Sequence, residues 1–131
     1  LDGKTEIATL GKGIEKQEEL FNPNLVKVVF DLNGGALYFS RSAIPHIRNK
    51  DHANWLSSHK FYKHIGMYAY RADILEQLTR LPVSSLEKAE SLEQLRWLQN
   101  GFKITVVETT TETFGIDTPD DLLKAMDHLK S

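Results

Sequence analysis

A mixed α/β fold in one domain is predicted by three observations. A β-hairpin signature spans residues 25–41, a strictly alternating strand spans 61–70, and helical stretches with recognisable caps follow it. The chain has 131 residues, enough for one sizeable core and too few for two large ones. We therefore read 1–131 as a single domain.

Residues 1–20 are polar, with sparse apolar positions at Ile7, Leu10, Ile14 and Leu20, and read as an entry segment with one short element. Gly11-Lys12-Gly13 reads as a turn within it. Asn22-Pro23-Asn24 is a turn signal. It leads into Leu25–Asp31, whose β-branched content and alternation predict a strand. Asn33-Gly34-Gly35 supplies residues that tolerate positive φ, the chemistry of a tight hairpin. Ala36–Arg41 is the return strand, and Pro45 stops it.

Residues 46–60 keep no sustained period and predict a long loop with one helical turn. From Phe61 to Tyr70 the strand shows Phe61, Lys63, Ile65, Met67 and Ala69 on one face. Tyr62, His64, Gly66, Tyr68 and Tyr70 occupy the other. A first helix over 71–80 puts Ile74, Leu75 and Leu78 on one side, and Leu81-Pro82 ends it. Ser84 and Glu87 stand at capping-box spacing and open a second helix running to about Gln99, stopped by Asn100-Gly101. Phe102–Val107 predicts a short strand. A last helix starts at Thr118, with Leu122, Leu123, Met126 and Leu129 as its apolar stripe.

Composition narrows the function. Sixteen Lys and Arg against eighteen Asp and Glu give a formal charge of −2, no footprint for nucleic acid or an anionic membrane. No apolar run approaches the roughly 20 residues of a membrane helix. Without cysteine there is no thiolate nucleophile and no Cys-based metal site, and a reducing cytoplasm is the expected compartment. The five histidines form no i, i+4 pair, and neither a GxSxG nor a P-loop motif occurs. The first residue is Leu, with no initiator Met and no signal-peptide pattern, so the chain is expected to be a fragment.

Three clusters could carry chemistry. At 100° per residue the second helix places Leu92, Leu95 and Leu98 on a core face, and Glu90, Glu93, Gln94 and Trp97 on the opposite side. That stripe could hydrogen-bond a polyhydroxylated ligand and stack on its ring; it equally suits a wet surface or a subunit interface. On the alternating strand, His64 and Tyr68 flank Gly66, a notch that could admit a ligand or a packed helix. In Gly115–Asp121, Thr118 is an N-cap, Pro119 sits at N1, and Asp120 and Asp121 favour the helix dipole. Asp117 lies outside that cap and is a candidate ligand for a hard cation, with a partner needed from elsewhere. Arg41, beside Ser40 at the hairpin's end, is either a surface residue or an anion clamp.

Taken in order, FNPNLVKVVFD, ALYFSRSAIP, KHIGMYAYR, SLEKAESLEQLR and GIDTPDDL run from Phe21 to Leu122, within a resemblance over roughly residues 8–129. Together they resemble the C-terminal half of the 3-deoxy-manno-octulosonate (KDO) cytidylyltransferases. The resemblance implies a Rossmann-like nucleotide-diphospho-sugar transferase fold with a β-hairpin dimerisation element. It implies CTP and KDO as substrates, CMP-KDO and pyrophosphate as products, lipopolysaccharide synthesis as the destination, and a homodimer as the assembly. It assigns the sugar acid to Arg41, His64, Tyr68, Glu93 and Gln94, with Arg41 and His64 suited to its carboxylate, and Mg²⁺ to a catalytic Asp117. The family's phosphate loop and Gly-Asp-Glu-Pro-type metal motif are absent from these residues, so the isolated fragment is expected to be inactive. A sialic-acid-type cytidylyltransferase and a non-catalytic dimerisation module are the rival readings.

Overall fold

The computed structural model describes residues 5–110. Five strands form one sheet: β1 (Ile7–Gly13), β2 (Lys27–Phe30), β3 (Ala36–Ser40), β4 (Tyr62–Tyr70) and β5 (Ile104–Thr109). Their order is β3-β2-β4-β1-β5, with β1 and β5 parallel and the other neighbours antiparallel. Short helices α1 (Gln17–Leu20) and α2 (Trp55–Ser58) lie in the first half, the latter preceded by a 3₁₀ turn at His52–Asn54. After β4 come α3 (Ala72–Leu78), α4 (Ser85–Glu90) and α5 (Gln94–Gln99).

The mixed α/β class stands, and the two faces of β4 divide the core as its alternation requires. Tyr62, Tyr68 and Tyr70 pack with Ile7, Val28, Phe39, Ile104 and Val106 of the sheet and with Ile74, Leu78, Leu92, Leu95 and Trp97. On the opposite face, Ile65 and Ala69 join Ala8 and Leu10. Phe61 anchors a separate aromatic group with Ile14, Leu20 and Trp55.

The hairpin forms as predicted, but its turn is wider than a two-residue one. Asp31 organises it: the Oδ1 atom accepts from Asn33 N–H and Gly35 N–H, each at 2.8 Å. Only Gly34 takes positive φ there, +88°. The turn then reaches the far edge of the sheet, where Val106 N–H donates to Gly34 O at 2.7 Å and Gly35 bridges Thr105. The sheet therefore curls until its ends touch.

Four expectations are corrected. Gly11-Lys12-Gly13 is not a turn but the end of β1. Gly11 leaves space that Val28 and Val106 close over, a Cβ there standing 3.0 Å from Val106 Cγ1. Leu75 does not share the buried side of α3 with Ile74 and Leu78; it is 45% exposed. The helix over 84–99 is two helices, because Ser91 turns left-handed at φ 55° and ends α4. That break turns α5 away from the line of α4, so Trp97 is buried in the main core beside Leu92 and Leu95 instead of facing away from them. The capping box at Ser84 and Glu87 is present, and Gly101 (φ +90°) closes α5. The predicted last helix and Asp117 lie outside the described residues.

Candidate functional site

The site grows from an irregularity in β4. Thr9 pairs with Tyr68 and Leu10 with Ile65, so Gly66 and Met67 are extra residues on β4. Two extra residues preserve the alternation, leaving His64 and Tyr68 on the same face. Gly66 is looped out, with open space where a Cβ would lie, and is not the floor of a notch. The His64 and Tyr68 rings close to 5.4 Å across it.

Both rings are wedged. Phe39 meets His64 edge-on at 4.9 Å, and Trp97 meets Tyr68 edge-on at 5.1 Å. Tyr70 stacks on Tyr68 at 5.9 Å. Burial pushes the Tyr68 phenol above its ordinary range, and the neighbouring Tyr70 and the Glu93 carboxylate push it further, so it remains a hydrogen-bond donor. Burial alone lowers the His64 imidazole to about 4, and the ring is neutral near pH 7.

Glu93 and Gln94 take their places from the helix break. Glu93 is the exposed N-cap of α5, and Gln94, its first residue, is only 7% exposed. Among the described residues no hydrogen bond is made by the Gln94 amide, the Tyr68 hydroxyl or His64 Nδ1, and the His64 and Tyr68 side chains are half-buried. Three largely covered side chains thus keep unspent hydrogen-bonding capacity, which is what recognition of a polar ligand needs. Beside them a hollow of about 310 Å³ is lined by Tyr70, Leu78, Glu93, Arg96 and Trp97, among others.

Arg41 is partly committed. Its Nε donates to Glu90 O at 2.7 Å, and its terminal nitrogens donate to Pro23 O and Ser91 O, each at 3.2 Å. Two of its five N–H groups remain. Glu90, which the helical wheel placed in a ligand stripe, instead ties the end of β3 to α4. Its carboxylate accepts from Ser40 Oγ at 2.6 Å and from Arg41 N–H at 3.0 Å. Burial opposes its ionisation, but those bonds, a further one from Tyr38 and the Arg41 charge outweigh it and hold the carboxyl below its usual range. Sequence reasoning also missed Lys27, fully buried, whose Nζ donates to Asn22 O at 2.8 Å and Leu25 O at 2.5 Å. Its signal was a lone charge within an apolar strand.

The structure therefore brings His64 and Tyr68 together on one face of β4, places Glu93 near enough to Tyr68 to act on it electrostatically, with Gln94 next to it in sequence, and ties Arg41 to the end of α4. The cytidylyltransferase family model matches residues 2–104. The chain belongs to the cytidylyltransferase family. Among its curated relatives, a 3-deoxy-manno-octulosonate cytidylyltransferase of Parabacteroides distasonis is 58% identical over 129 residues, covering 95% of this chain and 51% of that protein. One from Cytophaga hutchinsonii is 60% identical over 120 residues, covering 91% and 48%. A solved CMP:2-keto-3-deoxy-manno-octonic acid synthetase complexed with CTP superposes with a TM-score of 0.76 at 40% identity, over 98% of this chain and 51% of that one. This cytidylyltransferase chain spans about half the length of the curated relatives it matches. Among the described residues no helix is long and apolar enough to cross a membrane.

Proposed function

We propose that this chain supplies the sugar-acid site of an enzyme that joins KDO to CTP, giving CMP-KDO and pyrophosphate. The observation that carries the reading is the set of unspent polar groups on His64, Tyr68 and Gln94, with the exposed Glu93 beside Gln94 in sequence. Relatives named for this reaction, about 58% identical, support the choice of substrate. A sugar acid offers hydroxyls and one carboxylate. The Gln94 amide and the Glu93 carboxylate match the hydroxyls, the Tyr68 hydroxyl donates from a rigid ring, and the two remaining Arg41 N–H groups match the carboxylate. Their contribution is to hold the attacking sugar in place against the nucleotide.

The order of its motifs supports the proposal that the chain is the C-terminal half of that enzyme. The phosphate-binding loop then belongs to the rest of the enzyme. Among the described residues no group of three His, Cys, Asp or Glu could hold a metal ion, so they do not by themselves fit a Mg²⁺ cage. Asp117 is proposed as one ligand only. The exposed Leu32 at the hairpin tip and Leu37 on β3 support the proposal that the hairpin contacts a second subunit.

The test is steady-state kinetics on the full-length enzyme carrying Gln94→Ala. We expect KM for KDO to rise about tenfold, as for one lost hydrogen bond to a ligand, with KM for CTP unchanged. An unchanged KM for KDO, or turnover of a sialic acid in preference to KDO, would overturn the assignment.

A further inference from the structure

Thr9 lies fully buried on β1, opposite the irregularity in β4. Its Oγ1 has three partners: Met67 O at 2.8 Å, Ile65 O at 3.2 Å and His64 Nε2 at 2.8 Å. A hydroxyl has one proton and can accept through its lone pairs. Carbonyl oxygens only accept, so the proton must point to them; aimed at His64, it would leave Oγ1 lone pairs against two carbonyl oxygens. The third contact is then a bond in the reverse sense, with His64 Nε2–H donating to Thr9 Oγ1.

We propose that Thr9 is a positioning residue, which holds His64 by its Nε2–H and leaves Nδ1 to meet the ligand as an acceptor. This rests on the sugar-acid reading and refines it. Nδ1 has no hydrogen-bond partner among the described residues, and the side chain is half-buried. In the neutral ring fixed this way it carries a lone pair. Such an atom accepts from a sugar hydroxyl, and faces a carboxylate with repulsion. The sequence-based assignment of His64 to the sugar's carboxylate is thereby replaced by a hydroxyl, and the carboxylate is left to Arg41. The same geometry explains why β4 needs its two extra residues. They turn the Ile65 and Met67 carbonyls onto one hydroxyl, and that hydroxyl decides which nitrogen of His64 carries the proton.

The test uses the full-length enzyme with ¹⁵N-labelled histidine and two variants, Thr9→Val and Thr9→Ser. Long-range ¹H–¹⁵N correlation spectra of the KDO-free wild type are expected to show His64 with Nε2 protonated and Nδ1 bare. In Thr9→Val the preference should be lost and KM for KDO should rise about tenfold while kcat changes less, as for one misdirected hydrogen bond. Thr9→Ser, which keeps the hydroxyl, should restore both. A wild-type His64 protonated on Nδ1 would overturn the proposal, as would a Thr9→Val enzyme with unchanged tautomer and KM. The spectra need no substrate, so failure of the KDO assignment would show as absent turnover with the tautomer still locked. Failure of the Thr9 role would show as the reverse.

Discussion

His64 ties the chemistry of the site to the stability of the fold. Its imidazole is lowered to about 4 by burial, against about 6.5 in an unfolded chain. The unfolded state therefore binds a proton between those values while the folded state does not. Stability is intact above about pH 6.5 and falls as pH drops towards 4, by roughly 3 kcal/mol in full. Thermal midpoints measured from pH 7 to pH 4 should fall accordingly, and His64→Phe should flatten that dependence. A wild-type midpoint with no greater pH dependence than the variant's would refute the sign. As for single residues, alternation placed His64 and Tyr68 on one face of β4, and the family resemblance, not spacing, pointed to them and to Gln94 as ligand residues. The sequence could not reveal Thr9 or Lys27, whose roles depend on partners brought close by pairing: Thr9 lies 55 residues from His64.

The α4–α5 junction shows why one helical wheel misassigned a stripe. Spacing treats 84–99 as continuous, but the αL residue Ser91 breaks the helix, and Leu92 N–H returns to Glu87 O at 3.2 Å. The caps at either end were plain in the sequence; the interior break was not, because serine carries no strong αL signal. The consequence is favourable packing, since Trp97 turns into the tyrosine ladder of β4 while Glu93 and Gln94 are left at its rim. A non-glycine residue in the left-handed region is strained. Ser91→Gly should therefore raise stability by about 0.5–1 kcal/mol in denaturant titrations, the relief of φ strain exceeding the added freedom of the unfolded chain. A loss of stability would show that the Ser91 side chain contributes more than its backbone costs.

Across the whole molecule, the class of fold, the hairpin and the division of β4 into two buried faces all came from short-range patterns. The order of strands did not. β1 was hidden because Gly11 and Gly13 weaken its signal, and the closure between Gly34 and Val106 joins residues that no local pattern connects. Gly34 is the point where that closure can be tested. Its φ is +88°, and a Cβ would stand 3.2 Å from Val106 O. Gly34→Ala should cost about 1–2 kcal/mol, measured by the shift of the unfolding midpoint. No shift would mean that the contact with β5 is dispensable.

The parallel pairing of β1 with β5 joins Ile7 to Ile104. Nearly a hundred residues must therefore leave the ribosome after β1 before it can pair with β5, whereas the hairpin and the pairing of β1 with β4 can form sooner. Until β5 is made, the β5-facing edge of β1 stays open, so this side of the sheet closes late and is the part that most needs shielding from other nascent chains.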